Sequence, residues 1–86
     1  MAVTMPVKEY IYLKDHFLML DSYVINISYA KENVTLDFLD YKKEQFKIEY
    51  HSLVLRTGLD GKETYNETGN HLNNIYDDYL RGQLDL

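Results

Sequence analysis

The sequence predicts an α+β fold: a small antiparallel β-sheet of four to five strands in meander order, with one C-terminal α-helix packed on one face. Three observations carry that expectation. Apolar and polar residues alternate with period two over most of the first two-thirds of the chain, the mark of strands with one dry and one wet face. Glycine and polar residues then break the pattern over 57–69, and a 3.6-residue period follows.

Each element follows from its residues. In "VKEYIYLK", Val7, Ile11 and Leu13 share one face with Glu9 as the exception, and Tyr10 and Tyr12 share the other with Lys8 and Lys14. This reads as a first strand, with Pro6 at its start, where a missing N–H does little harm. "DHFLML", residues 15–20, is too short for periodicity to decide and is assigned to a strand. "YVINISY" sets Tyr23, Ile25, Ile27 and Tyr29 against Val24, Asn26 and Ser28, and "NVTLDFLD" sets Val34, Leu36 and Phe38 against Thr35 and Asp37. The short polar "AKEN" between them is expected to close a hairpin. "FKIEYHSLVL" continues the alternation, with Phe46, Ile48 and Tyr50 inward and Lys47, Glu49 and His51 outward.

The stretch "RTGLDGKETYNETGN" holds three of the chain's four glycines and an Asp60-Gly61 turn signal, so 57–69 is expected to be a loop. In "NHLNNIYDDYLRGQL", Leu72, Ile75, Tyr76, Tyr79 and Leu80 fall at i, i+3, i+4, i+7 and i+8. That spacing predicts an amphipathic helix over 70–82, capped by Asn70 and ended by Gly82. The domain plan is a single domain over 1–86, with sheet over 7–56, loop over 57–69 and helix over 70–82.

Composition limits what such a chain does. The 86 residues fit one small core, with an expected radius of gyration of about 12 Å. Hydrophobic residues at 45% and charged residues at 27% are globular values that argue against disorder. Cysteine is absent, which excludes disulfides and thiolate metal sites and fits a cytoplasmic protein. No basic start followed by an apolar run marks a secretory signal, and no apolar segment is long enough to span a membrane. The N-x-[ST] sequons at Asn26, Asn33 and Asn66 are therefore read as chance matches. Fourteen acidic against nine basic residues give a net charge of −5 without a basic face, so direct binding to nucleic acid or anionic lipid is not expected.

No catalytic, cofactor or metal motif stands out. His16, His51 and His71 lack metal-ligand spacing. "GLDGKET" departs from the phosphate-loop pattern, with Arg56 in place of the first glycine and Glu63 in place of the hydroxyl residue. One sheet and one helix also offer few places for a pocket of ~300 Å³ or more. The chain is expected not to be an enzyme and to need no cofactor.

An area argument points to binding instead. A helix over 70–82 is ~10 Å wide, whereas four or five strands span ~20 Å, so the sheet face carrying Ile25, Ile27, Leu36, Phe38, Phe46 and Ile48 is under-covered. The expected function is a non-catalytic protein-binding module with a protein partner and a tendency to form a homodimer. In general character this short, acidic, Cys-free and Tyr-rich chain resembles the small proteins that phages and mobile elements use to inhibit or modulate host proteins. The candidate contact residues are Tyr10 and Tyr12 on the outer sheet face and Asn74, Asp77, Asp78 and Arg81 on the outer helix face. Their carboxylates suggest a surface that mimics nucleic-acid charge. Two alternatives are a structural subunit that assembles through sheet edges and a small ligand-binding or catalytic homodimer.

Overall fold

The computed structural model describes residues 1–58 and 65–84. The fold is α+β, with three antiparallel strands among the described residues, fewer than the sequence predicts, and helices along the chain rather than only at its end. The elements are β1 (Ala2–Pro6), α1 (Val7–His16), a 3₁₀ turn (Leu20–Tyr23), β2 (Val24–Ala30), β3 (Asn33–Phe38), a 3₁₀ turn (Asp40–Lys42), α2 (Lys43–Thr57) and α3 (Glu67–Ile75). From α3 the chain passes through a π-helical stretch (Tyr76–Leu80) into α4 (Arg81–Leu84). The sheet order is β1-β3-β2. Both outer strands run antiparallel to β3, so β1 and β2 are parallel to each other with β3 inserted between them, a split β-α-β arrangement rather than a meander.

The hairpin and the faces of β3 follow the sequence expectation. Ala30 pairs with Asn33 across the two-residue turn Lys31-Glu32, and Lys31 takes the left-handed backbone angle φ 59° that such turns favour. Val34, Leu36 and Phe38 are buried, and Val3 and Met5 of β1 lie opposite Leu36 and Val34 on the same dry face. The other face is wet, with the Thr4 and Thr35 hydroxyls 2.9 Å apart. β1 itself has no counterpart in the sequence reading, which starts its sheet at residue 7.

Two predicted strands are helices. Over 7–16, Tyr10, Leu13 and then Phe17 are buried at i, i+3 and i+7, a helical spacing that a period of two splits between opposite faces. Glu9, the exception in a strand, suits a first helical turn, and Lys14 and His16 suit a last turn, because each charge opposes the helix dipole. Pro6 ends β1 and sits at the N-cap position of α1. Over 43–57, Phe46, Tyr50, Leu53 and Val54 are buried at i, i+4, i+7 and i+8, whereas Ile48 is turned to solvent. The segment 15–20 is not a strand either: α1 ends at His16, a turn follows, and the 3₁₀ turn begins at Leu20. The sheet thus occupies 2–6 and 24–38, not 7–56.

α2 therefore joins the roof instead of the platform. Phe46 lies 5.0 Å from Phe38, 5.3 Å from Tyr23 and 5.5 Å from Phe17 between ring centroids, tying sheet, 3₁₀ turn and α1 to α2. Tyr50 continues the cluster to Tyr76 at 5.3 Å. The Tyr50 hydroxyl donates to the Leu72 carbonyl oxygen at 2.7 Å, and burial pushes the phenol's pKa well up. Among the described residues no buried side-chain nitrogen or oxygen lacks a hydrogen-bond partner. The part of the predicted sheet face that carries Leu36 and Phe38 is covered by the chain's own helices, whereas Ile25 stays exposed at the outer strand. The radius of gyration is 12.7 Å.

The C-terminal helix is longer than predicted and starts earlier. Asn66, not Asn70, is the N-cap: its side-chain oxygen accepts from the Gly69 N–H at 2.9 Å. Gly82 lies within the final turn and does not end it. The predicted stripe is correct, with Leu72, Ile75, Tyr76 and Leu80 buried and Tyr79 half-buried. The Asp60-Gly61 turn and most of the "GLDGKET" segment lie outside the described residues.

Candidate functional site

The six residues singled out in the sequence do not form one surface. Tyr10 is on α1, buried, and packs edge-on against Tyr29 with centroids 6.5 Å apart. Tyr12 is half-buried two residues along the same helix and lies between two imidazoles, 4.2 Å from His16 and 3.8 Å from His71. The outward face of a strand predicted for both tyrosines does not exist, because the segment is helical. Asn74, Asp77, Asp78 and Arg81 are exposed, as predicted for the outer helix face. Asp77 is bound by Arg81 one turn on, with the guanidinium Nε 3.1 Å from Oδ1. Part of the charge on which nucleic-acid mimicry would depend is therefore neutralised within the helix.

Tyr12, Asn74 and Asp78 do come near one another around a pair the sequence reading did not anticipate. His71 Nε2 donates to Glu9 Oε2 at 2.7 Å and joins α3 to α1 across 62 positions of sequence. His16 Nδ1 donates to the Tyr12 carbonyl at 2.9 Å, which fixes the second imidazole of the stack. Glu9, His71, Asn74, Asp78 and Tyr79 border a shallow cleft of ≈ 220 Å³, below the usual size of a small-molecule site. The Glu9–His71 bond joins the two helices, and the His16–Tyr12 bond spans one turn of α1. The cluster's demonstrable role is to fix α1 on α3. The described residues contain no group of three or more His, Cys, Asp or Glu side chains placed to hold a metal ion, and no helix among them is long and apolar enough to cross a membrane.

A second surface is built by β2. It is the outer strand of the order β1-β3-β2, mostly exposed, and no other strand among the described residues pairs with its outer edge. The register slips between Val24 and Asn26, so the extra residue of this bulge breaks the alternation that the sequence shows. Tyr23 is buried, Ile27 is half-buried, and Ile25 and Tyr29 are each 63% exposed. Ile25 and Tyr29, with Tyr10 and Lys14 of α1 and Asp21, border a groove of ≈ 420 Å³ between α1 and β2. Residues 22–30, "SYVINISYA", contain no charged side chain, although 27% of the chain is charged. Edge strands are ordinarily blunted by lysine, proline, shortness or a bulge. β2 carries the bulge at its start but neither lysine nor proline, and it is seven residues long, so from Asn26 to Ala30 the edge is plain.

Comparison with known protein families, with characterised proteins and with solved structures gives no match.

Proposed function

We propose that this chain is a non-catalytic protein-binding module that receives an extended segment of a partner protein along the β2 edge. The observation that carries the reading is the uncharged, seven-residue edge strand with Ile25 and Tyr29 standing out of it. Strand addition derives affinity from main-chain hydrogen bonds and specificity from alternate side chains, and β2 presents both in one groove. A module of this kind acts by occupying its partner, so modulation of that partner is the expected output. The contact surface differs from the one the sequence suggests: it is the sheet edge, not a sheet face or the outer face of the C-terminal helix.

A display library of extended peptides, followed by amide chemical-shift mapping of the selected binders, tests this. Binders should shift Ile25, Ile27 and Tyr29 and lose affinity in an Ile25→Lys/Tyr29→Lys double variant. Binders that map elsewhere and ignore the double variant, or a library that yields none, would remove the reading.

A further inference from the structure

Resting on that reading of the edge, we infer that its occupant is β2 of a second copy of this chain, paired antiparallel about a twofold axis at Ile27 to join two three-stranded sheets into one of six strands.

Ladder geometry defines which groups are available. The Phe38 N–H points to β1, 2.7 Å from the Met1 carbonyl. Alternation along β3 then turns Asp37, Thr35 and Asn33 toward β2, where they meet Asn26, Ser28 and Ala30. Ile27 and Tyr29 consequently direct their N–H and C=O groups outward, and among the described residues no other backbone segment bonds to them from that side. A twofold axis at Ile27 places Ile27 opposite its own copy in a hydrogen-bonded pair. It also sets Asn26 beside the second copy's Ser28 and brings that copy's Tyr29 near the bulged Ile25. Apolar side chains meet apolar ones, and polar meet polar.

Charge favours the same orientation. Asp21 precedes β2 and Lys31 follows it, so antiparallel pairing brings unlike charges together at both ends, whereas parallel pairing would bring like charges together. Lys14 also borders the groove and adds one positive charge per copy.

The opposite edge of the sheet does not repeat the offer. β1 has five residues and ends in Pro6, which has no N–H to give, and the π-helical stretch packs beside it. Pairing through β2 is therefore self-complementary and closes at two copies instead of growing into a filament. A seven-residue strand is ~23 Å long. Across the molecule's shortest extent of 22 Å, that length bounds the contact at roughly 500 Å² per copy, or about 1,000 Å² in all, no more than the lower limit for a specific interface. The dimer should thus dissociate on dilution.

Sedimentation velocity of the purified chain from about 1 μM to about 1 mM should show the mass rising from 10.2 kDa toward twice that value. The Ile25→Lys/Tyr29→Lys double variant, altered only at exposed positions, should stay at one chain throughout, while Thr4→Lys on the wet sheet face should still double. Because the chain has no cysteine, Ile27→Cys should oxidise to a covalent dimer, the Cα separation of a hydrogen-bonded pair, about 5.5 Å, lying within disulfide range. A wild-type chain that stays single at the highest concentration overturns the self-pairing, as does a dimer indifferent to both lysines. If the single chain nevertheless binds displayed peptides along β2, the edge reading stands and only its occupant changes. If it binds none, both fall.

Discussion

Gly58, which closes α2, and Gly69, in the first turn of α3, pack backbone against backbone so closely that a Cβ on either would overlap the other's main chain. The junction is locked further by the Asn66 N–H, which donates to the Gly58 carbonyl at 2.7 Å. Gly58→Ala and Gly69→Ala should each lower stability by about 2–3 kcal/mol, because overpacked backbone has no flexible atom to move aside. Gly82 faces open space within the final helical turn, so Gly82→Ala should raise stability by about 0.5–1 kcal/mol. Urea midpoints for the three variants check the contrast, and opposite signs are the expected result.

Tyr50 makes the fold sensitive to alkali. Its phenol is held neutral by burial, so its folded pKa lies well above the value in the unfolded chain, about 10. The unfolded state ionises first. The stabilisation is therefore complete below pH ~10 and is lost progressively above it, by up to about 1.4 kcal/mol per pH unit. Tyr50→Phe should be less stable at neutral pH by about 1 kcal/mol, having lost the bond to Leu72, yet should fall less steeply above pH 10. Thermal melts across pH 8 to 11 would show the two curves converging, and parallel curves would contradict the assignment.

The hairpin turn carries removable strain. Lys31 holds a positive φ with a side chain that contacts its own backbone unfavourably there. Lys31→Gly should stabilise the protein by about 1 kcal/mol, since glycine is the residue this turn position prefers. A fall in melting temperature would mean that the Lys31 side chain contributes more than its backbone costs.

The bond between Glu9 and His71 couples two helices distant in sequence. A double-mutant cycle with Glu9→Gln and His71→Ala should give a coupling of about 1 kcal/mol, modest because the imidazole remains partly exposed. Loss of the Tyr12 stack adds to the cost of the single His71→Ala change. A coupling near zero would leave stacking alone as the tie.

How much of this was legible turns on a few residues. The hairpin, the buried row Val34, Leu36 and Phe38, and the stripe Leu72, Ile75, Tyr76 and Leu80 were readable because one periodicity fits each and the other fails. The segments 7–16 and 43–57 were misread because their apolar residues satisfy both periods. Alternation groups Val7, Ile11 and Leu13 and sets Tyr10 on the outer face, whereas a helix groups Tyr10 with Leu13, and reading tyrosine as an outer-face residue hid the second pattern. The mismatch between a wide platform and a lone roof helix was the available clue, and converting 43–57 to helix narrows the first while enlarging the second. The candidate contact residues were placed on that misread scaffold, which is why Tyr10 is buried and Tyr12 serves a helix contact.

The π-helical stretch has a consequence for chain length. Leu72, Tyr76, Leu80 and Leu84 are all buried at a strict four-residue spacing, although an ordinary helix drifts about 40° per such step and about 120° over the three. The wider winding over Tyr76–Leu80 absorbs that drift and keeps Leu84 in the core. Such a stretch holds one residue more than an ordinary helix, so deleting one exposed residue there, such as Asp78, would let it wind as α-helix with Leu72, Tyr76, Leu80 and Leu84 at i, i+4, i+7 and i+11, still on one face. This stretch should therefore tolerate the loss of one exposed residue, whereas an added one would turn Leu84 away from the interior by about 100°.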